Sequence, residues 1–213
     1  MTSNFFRYHL LFIVALICGV HFSSCGSEPQ ASKASLRNGD IIFHASKSDQ
    51  SKAIQLATGS EYSHSGIVYI EAGKTYVVEA VQPVKRTPFE EFVKRGAGGE
   101  YVVKRLRNAE AILTDPVLQQ MKREGQKMMG KNYDSHFNWS DDQIYCSELV
   151  WKIYQRATGI ELGELKKMKD FDFSNRIVKE ILHKRYKDEI PWEEPVISPA
   201  DIFESKELVV VGS

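Results

Sequence analysis

Hydrophobic and polar positions change period several times along this chain. After the turn signal Asn38-Gly39-Asp40, the run Ile41-Ile42-Phe43 reads as a short buried strand. Ser48 to Thr58 has the pattern of a short helix, closed by Gly59. Ser63 to Ile70 and Thr75 to Val81 are rich in β-formers and flank the turn Glu71-Ala72-Gly73-Lys74, so they predict a hairpin. Pro83 and Pro88 break the next stretch, Phe89 to Arg95 is a helical turn, and Gly96 to Gly99 is a loop. Tyr101 to Leu106 is a third strand. Asp115-Pro116 opens a helix that runs to about Met129 and stops at Gly130, its Leu118, Met121, Met128 and Met129 facing a core. From Cys146 onward, apolar residues at Leu149, Val150, Ile153, Tyr154 and Ala157 keep helical spacing up to Gly159. Asn175 to Lys187 is amphipathic, with Ile177, Val178, Ile181, Leu182 and Tyr186 on one side. Ser198-Pro199-Ala200-Asp201 starts a last turn of helix, and Leu208 to Val211 is a terminal strand. The elements add up to an α+β domain, an antiparallel sheet with helices gathered on one side, and no internal repeat is visible.

The N-terminus changes the picture. Arg7 and His9 precede an apolar run from Leu10 to Val20, too short to span a bilayer and suited to the core of a signal peptide. Phe22-Ser23-Ser24-Cys25 resembles a lipobox with Phe22 in place of leucine, so residues 1–24 read as a signal peptide and Cys25 as a candidate lipidated anchor. Ordinary signal cleavage with a soluble product is the alternative. Residues 25–37 are polar and small, a tether, and 38–213 form the domain. The expected address is the bacterial cell envelope, with membrane attachment through Cys25.

The chain has 213 residues, 42% of them hydrophobic, and 28 basic against 28 acidic side chains. A balance of zero implies no polyanionic partner, so nucleic acid is not expected. Cys18, Cys25 and Cys146 are far apart and form no CxxC pair, and the six histidines form no HxxxH pair. Neither a metal site, a cofactor nor a disulfide framework is expected. If the signal is removed and Cys25 lipidated, Cys146 is the only free thiol left.

Cys146 falls in the first turn of its helix, where unpaired N–H groups and the helix dipole favour a thiolate. A buried inert cysteine would look much the same. A nucleophilic thiol needs a base, and the base needs an orienting group. In the hairpin, His64, Gly66, Val68 and Ile70 share one face. An even-numbered loop would put Glu79 on that face, beside or diagonal to His64; an odd loop or a bulge would put it on the other. Gly66 would leave open space beside His64, or mark close approach of a ligand or backbone. A carboxylate between Val78 and Ala80 is unusual in a strand unless exposed or paired. His44, His136 and His183 have no carboxylate at a plausible register and read as structural. The basic face of Asn175 to Lys187 is either solvated or suited to an anionic membrane.

Five segments together are similar to the YiiX group, circularly permuted papain-like amidases related to the NlpC cell-wall peptidases. They are Gly39-Asp40-Ile41-Ile42-Phe43, Ser63-His64-Ser65-Gly66, Val78-Glu79-Ala80-Val81, Gly130-Lys131-Asn132-Tyr133-Asp134 and Tyr145-Cys146-Ser147-Glu148-Leu149-Val150. Ser198-Pro199 before the last strand also fits, and the histidine precedes the cysteine, as the permuted branch requires. The resemblance implies a permuted papain-like fold, an antiparallel sheet or barrel packed against helices with the nucleophile at a helix N-terminus. It implies Cys146 as nucleophile, His64 as general base and then acid, and Glu79 as the orienting residue. Tyr145 would either help to stabilise the oxyanion or simply pack. The implied activity is that of a cysteine amidase or peptidase, acting through a thioester and needing no metal. Cell-wall peptide stems and N-acyl amides or lipid-like esters compete as substrates: a deep apolar pocket beside Cys146 would favour acyl chains, an open polar groove peptides. The alternatives are a catalytically silent envelope-binding module, a lipid acyl hydrolase or transferase, and a membrane-surface protein held by the Asn175 to Lys187 helix.

Overall fold

The computed structural model describes residues 36–212. The signal peptide, Cys18, Cys25 and most of the tether lie outside the described residues. The elements in order are β1 (Ile41–His44), α1 (Asp49–Thr58), β2 (His64–Glu71), β3 (Lys74–Glu79), β4 (Lys85–Pro88), α2 (Phe89–Arg95), β5 (Val102–Leu106), α3 (Ala109–Ile112), α4 (Asp115–Met128), α5 (Cys146–Thr158), β6 (Lys166–Lys167), α6 (Arg176–Tyr186), β7 (Pro195–Val196), α7 (Pro199–Phe203) and β8 (Leu208–Gly212). Six strands form one antiparallel sheet in the order β4-β3-β2-β1-β5-β8, and β6 pairs with β7 apart from it.

Local chemistry sets the helix ends. The Ser48 side chain accepts from the Ser51 N–H at the start of α1, and Gly59 ends it in the left-handed region at φ 65°. Gly159 ends α5 in the same way at φ 75°. At the start of α5, the Glu148 carboxylate reaches back and accepts from the Tyr145 N–H at 3.3 Å.

Each strand alternates its side chains between two cores. Ile41, Phe43, Ile67, Tyr69 and Val78 pack with Leu149, Val150 and Ile153 of α5. Ile42, Val68, Val77 and Val103 pack on the opposite face with Phe89 and Phe92 of α2. The expectation that the helices gather on one side therefore fails at α2. Seven residues are too few for a strong helical period, but two phenylalanines three apart suffice to cap the second face.

The strand β4 is also absent from the sequence reading. Lys85, Arg86 and Pro88 mask it, yet charge and proline are what an edge strand carries.

The β2–β3 hairpin has an even loop. Glu71 pairs with Lys74, and the two intervening residues, Ala72 and Gly73, both have positive φ (48° and 73°). Continuing the register from Ile67↔Val78 sets Glu79 opposite Gly66, diagonal to His64 and on its face. Gly66 does not open space there. A Cβ at this position would lie 2.4 Å from Val77 Cγ1 and 2.9 Å from the Val78 carbonyl oxygen, so glycine permits close approach of β3.

Candidate active site

The site forms where the start of β2 meets the N-terminus of α5. Cys146 is only 2% exposed. Burial alone pushes its thiol up, but the charge of His64, a hydrogen bond with that ring and the backbone N–H groups of Ser65 and Ser147 outweigh it, and the thiol titrates below its ordinary value. The first turn of α5 thus supplies one donor to the sulfur, the Ser147 N–H, and β2 supplies the other from Ser65.

His64 shows the converse. Burial lowers its pKa, yet the negative charge of Cys146, a hydrogen bond to it, and the Glu79 carboxylate raise the imidazole to about 9. Its Nε2 lies 2.6 Å from Glu79 Oε2, which leaves Nδ1 for the sulfur. The two shifts act together, each favouring a thiolate beside an imidazolium.

Glu79 is fully buried and ionised. Burial opposes its charge, but hydrogen bonding and attraction from His64, then Thr87 and Arg95, pull its pKa down to about 2. Its Oε1 accepts from Thr87 Oγ1 at 2.5 Å and forms an ion pair with Arg95. Thr87 comes from β4 and Arg95 from the last turn of α2, so the two elements that the hydrophobic pattern reads least well hold this carboxylate. Phe92 of α2 stacks on the His64 ring, with centroids 5.6 Å apart, and fixes its plane.

The structure thus brings Cys146, His64 and Glu79 together. It places Tyr145 differently from an oxyanion ligand. Tyr145 is 1% exposed, its hydroxyl accepts from the Ile197 N–H at 3.2 Å, and its ring meets Phe137 edge-on. The phenol that reaches the sulfur is Tyr133. Burial raises its pKa well above normal, the Cys146 charge raises it further, and it hydrogen-bonds to both Gln50 and Cys146. Gln50 Nε2 donates to the Tyr133 hydroxyl at 3.0 Å.

Tyr133 sits in a segment without periodicity, which is why pattern reading gives it no role. The segment is nevertheless pinned: Asp134 accepts from the His136 and Asn138 N–H groups at 2.7 Å each, and Tyr133 N–H donates to Gln82 Oε1 at 2.7 Å. The one sequence signal for Tyr133 is its place in Gly130-Lys131-Asn132-Tyr133-Asp134. His44, read as structural, lies against His64 with centroids 5.1 Å apart. His136 packs its ring on Tyr186, and His183 is exposed on α6.

Two concavities flank the reactive pair. An apolar cleft of about 690 Å³, its open mouth included, has Cys146 in its wall and is otherwise built from Ala53 and Ala57 of α1, Phe171, Phe173, and Ile181 and Leu182 of α6, among others. A wider groove of about 1440 Å³, again with its mouth and with more polar residues in its lining, has His64 in its wall. Gln50, Ile54 and Tyr133 line both, so the Gln50–Tyr133 hydrogen bond forms a ridge between them.

Comparisons with known proteins agree with this architecture. The model of the permuted papain-like amidase enzymes of the YaeF/YiiX, C92 family matches residues 35–212. The uncharacterized protein YiiX of Escherichia coli (strain K12) is 47% identical over 176 residues, covering 83% of this chain and 86% of YiiX. The crystal structure of metalloprotein YiiX from Escherichia coli O157:H7 superimposes with a TM-score of 0.78 at 46% identity, covering 86% of this chain and 97% of that one.

Proposed function

The chain belongs to the permuted papain-like amidase family, and from that premise we propose that it is a cysteine hydrolase of N-acyl amides or related esters, with Cys146 as nucleophile, His64 as acid and base, and Glu79 as the group that orients His64. The observation that carries the reading is the division of the site: Cys146 faces an apolar cleft, and His64 a wider groove lined by more polar residues. A nucleophile keeps the acyl half of its substrate, and the general acid must reach the half that leaves. An acyl chain in the cleft buries apolar surface at about 25 cal/mol per Å². Peptide stems of the cell wall have little to put there.

The chemistry balances without further groups. The Cys146 thiolate attacks the carbonyl carbon and an S–C bond forms. Tyr133, already hydrogen-bonded at the sulfur, is the side-chain donor placed to meet the developing oxyanion. The C–N or C–O bond breaks as His64 passes its proton to the leaving atom. Water then adds to the thioester, His64 takes its proton, and the thiolate leaves with the acid released. YiiX is described as a metalloprotein; in this chain no group of three or more His, Cys, Asp or Glu among the described residues is arranged to hold a metal ion, and no step is routed through one.

Export and anchoring through Cys25 belong to the same proposal, since an acyl-lipid hydrolase works at a membrane surface. The test is intact-mass analysis of the purified domain after incubation with dodecanoyl amides and with wall-stem peptides. The expected result is an acyl adduct and turnover for the wild type with the dodecanoyl amides, and neither for Cys146→Ala. Turnover of stem peptides alone would overturn the acyl-chain reading, and an adduct that persists in Cys146→Ala would overturn the nucleophile.

A further inference from the structure

We propose that the leaving half of the substrate carries an anion, a carboxylate or a phosphate, seated in the groove on the His64 side. This rests on the acyl-hydrolase reading and extends it to the other half of the substrate. His64 must touch the leaving atom, so the leaving group extends from His64 into the groove that His64 lines.

The charges of that groove are one-sided. Lys47 and Arg95 line it and no Asp or Glu does. Glu79 stands behind His64 with both carboxylate oxygens already engaged, by His64 on one side and by Thr87 and Arg95 on the other. Asp49, between the lining residues Ser48 and Gln50 in the chain, is exposed on the first turn of α1 and outside the lining.

The wall also holds a poorly satisfied group. His44 is 2% exposed and lines the groove; neither of its ring nitrogens makes a well-formed hydrogen bond, and only a weak contact with the Ala45 backbone supports the ring. Burial first, and then the neighbouring charge of His64, lowers its pKa to about 4, so its ring stays neutral with one N–H to donate. A poorly satisfied buried donor is costly, and an oxygen of a bound anion offers it a better acceptor once the ring turns toward the groove. An exposed Lys47, an Arg95 anchored on Glu79 and a neutral donor beside His64 suit an anionic leaving group better than a cationic one.

Three substrates with one acyl chain test this: N-dodecanoylglycine, its neutral counterpart N-dodecanoylglycinamide, and N-dodecanoyl-O-phosphoethanolamine. The expected result is a kcat/KM roughly tenfold or more higher for at least one anion than for the glycinamide, with the better anion showing whether carboxylate or phosphate is preferred. Lys47→Glu and His44→Leu should each reduce that ratio. Equal kcat/KM for all three, with cleavage still dependent on Cys146, would overturn the inference and leave the hydrolase reading standing. A preference that survives both substitutions would overturn its assignment to this groove. No Cys146-dependent cleavage of any of the three would overturn both.

Discussion

The two banks of the proposed catalytic pair, the Cys146 or nucleophile bank and the His64 or base bank, hold their groups by different physics. On the nucleophile bank, Cys146 is fixed by packing. Its helix is buried along Cys146 to Tyr154, Ser147 Oγ donates to the Ile197 carbonyl at 2.8 Å, and Glu148 both caps the helix and pairs with Lys152 at 2.7 Å. On the base bank, His64 is fixed by charge, through a chain from imidazole to carboxylate to guanidinium. The bank built by packing should therefore respond to substitution mainly in stability. The charged bank should respond mainly in pH dependence.

The sharpest test of that contrast is Glu79→Gln. Removing the carboxylate takes away a group that stabilises the imidazolium, so the His64 pKa falls from about 9 and the alkaline limb of kcat/KM moves to lower pH. The expected loss at the optimum is about 10²- to 10⁴-fold. A loss of activity with an unmoved limb would make Glu79 a packing residue. In the wild type, the alkaline limb should lie near pH 9, and the acid limb below the ordinary thiol range, because the Cys146 pKa is lowered.

Next in size is the comparison of the two tyrosines. Tyr133→Phe is expected to lower kcat about 10²-fold or more with little change in thermal stability, as loss of one oxyanion donor does. Tyr145→Phe removes a buried hydrogen bond to Ile197 and should cost about 1 kcal/mol in denaturant unfolding with kcat nearly kept. The reverse result would return the oxyanion role to Tyr145.

On the nucleophile bank, Glu148→Ala leaves Lys152 buried without its fully buried carboxylate partner and the α5 cap open. The expected cost is about 3 kcal/mol in urea unfolding, since Lys152 still reaches Asp141 and the Ser140 carbonyl. The pH profile of the folded fraction should not move, and a shifted profile would break the division between the banks. The smallest effect is expected at Leu182→Trp, which fills the cleft from α6. It should shift preference toward shorter acyl chains by roughly tenfold, measured as the kcat/KM ratio of dodecanoyl to butanoyl amides.

Much of the site was legible because some residues carry local signals. Cys146 precedes a strong helical period, and His64 and Glu79 lie on a hairpin whose turn is written in Ala72-Gly73. The family resemblance and the fold it implied are borne out by the family match and by the superposition on YiiX. What was missed has a common cause. Thr87 and Arg95 sit on a charged edge strand and a short helix, Tyr133 on an aperiodic loop, and His44 had no sequence-adjacent partner. The signals for these positions are contacts between distant segments, as in Gln50 with Tyr133 or Glu79 with Arg95.

The sequence by itself determined the periods, the caps and therefore which elements form, because those depend on neighbours within about one turn or one strand pair. It set a thiol at a helix start and an imidazole at a strand start. Only the tertiary structure decided that α2 closes the second face of the sheet, that Tyr133 and not Tyr145 turns its hydroxyl to the sulfur, and that an apolar cleft and a groove lined by Lys47 and Arg95 divide at Cys146 and His64. Those outcomes depend on how far-separated side chains share burial and charge. Burial and charge act through space, where distance along the chain has no bearing.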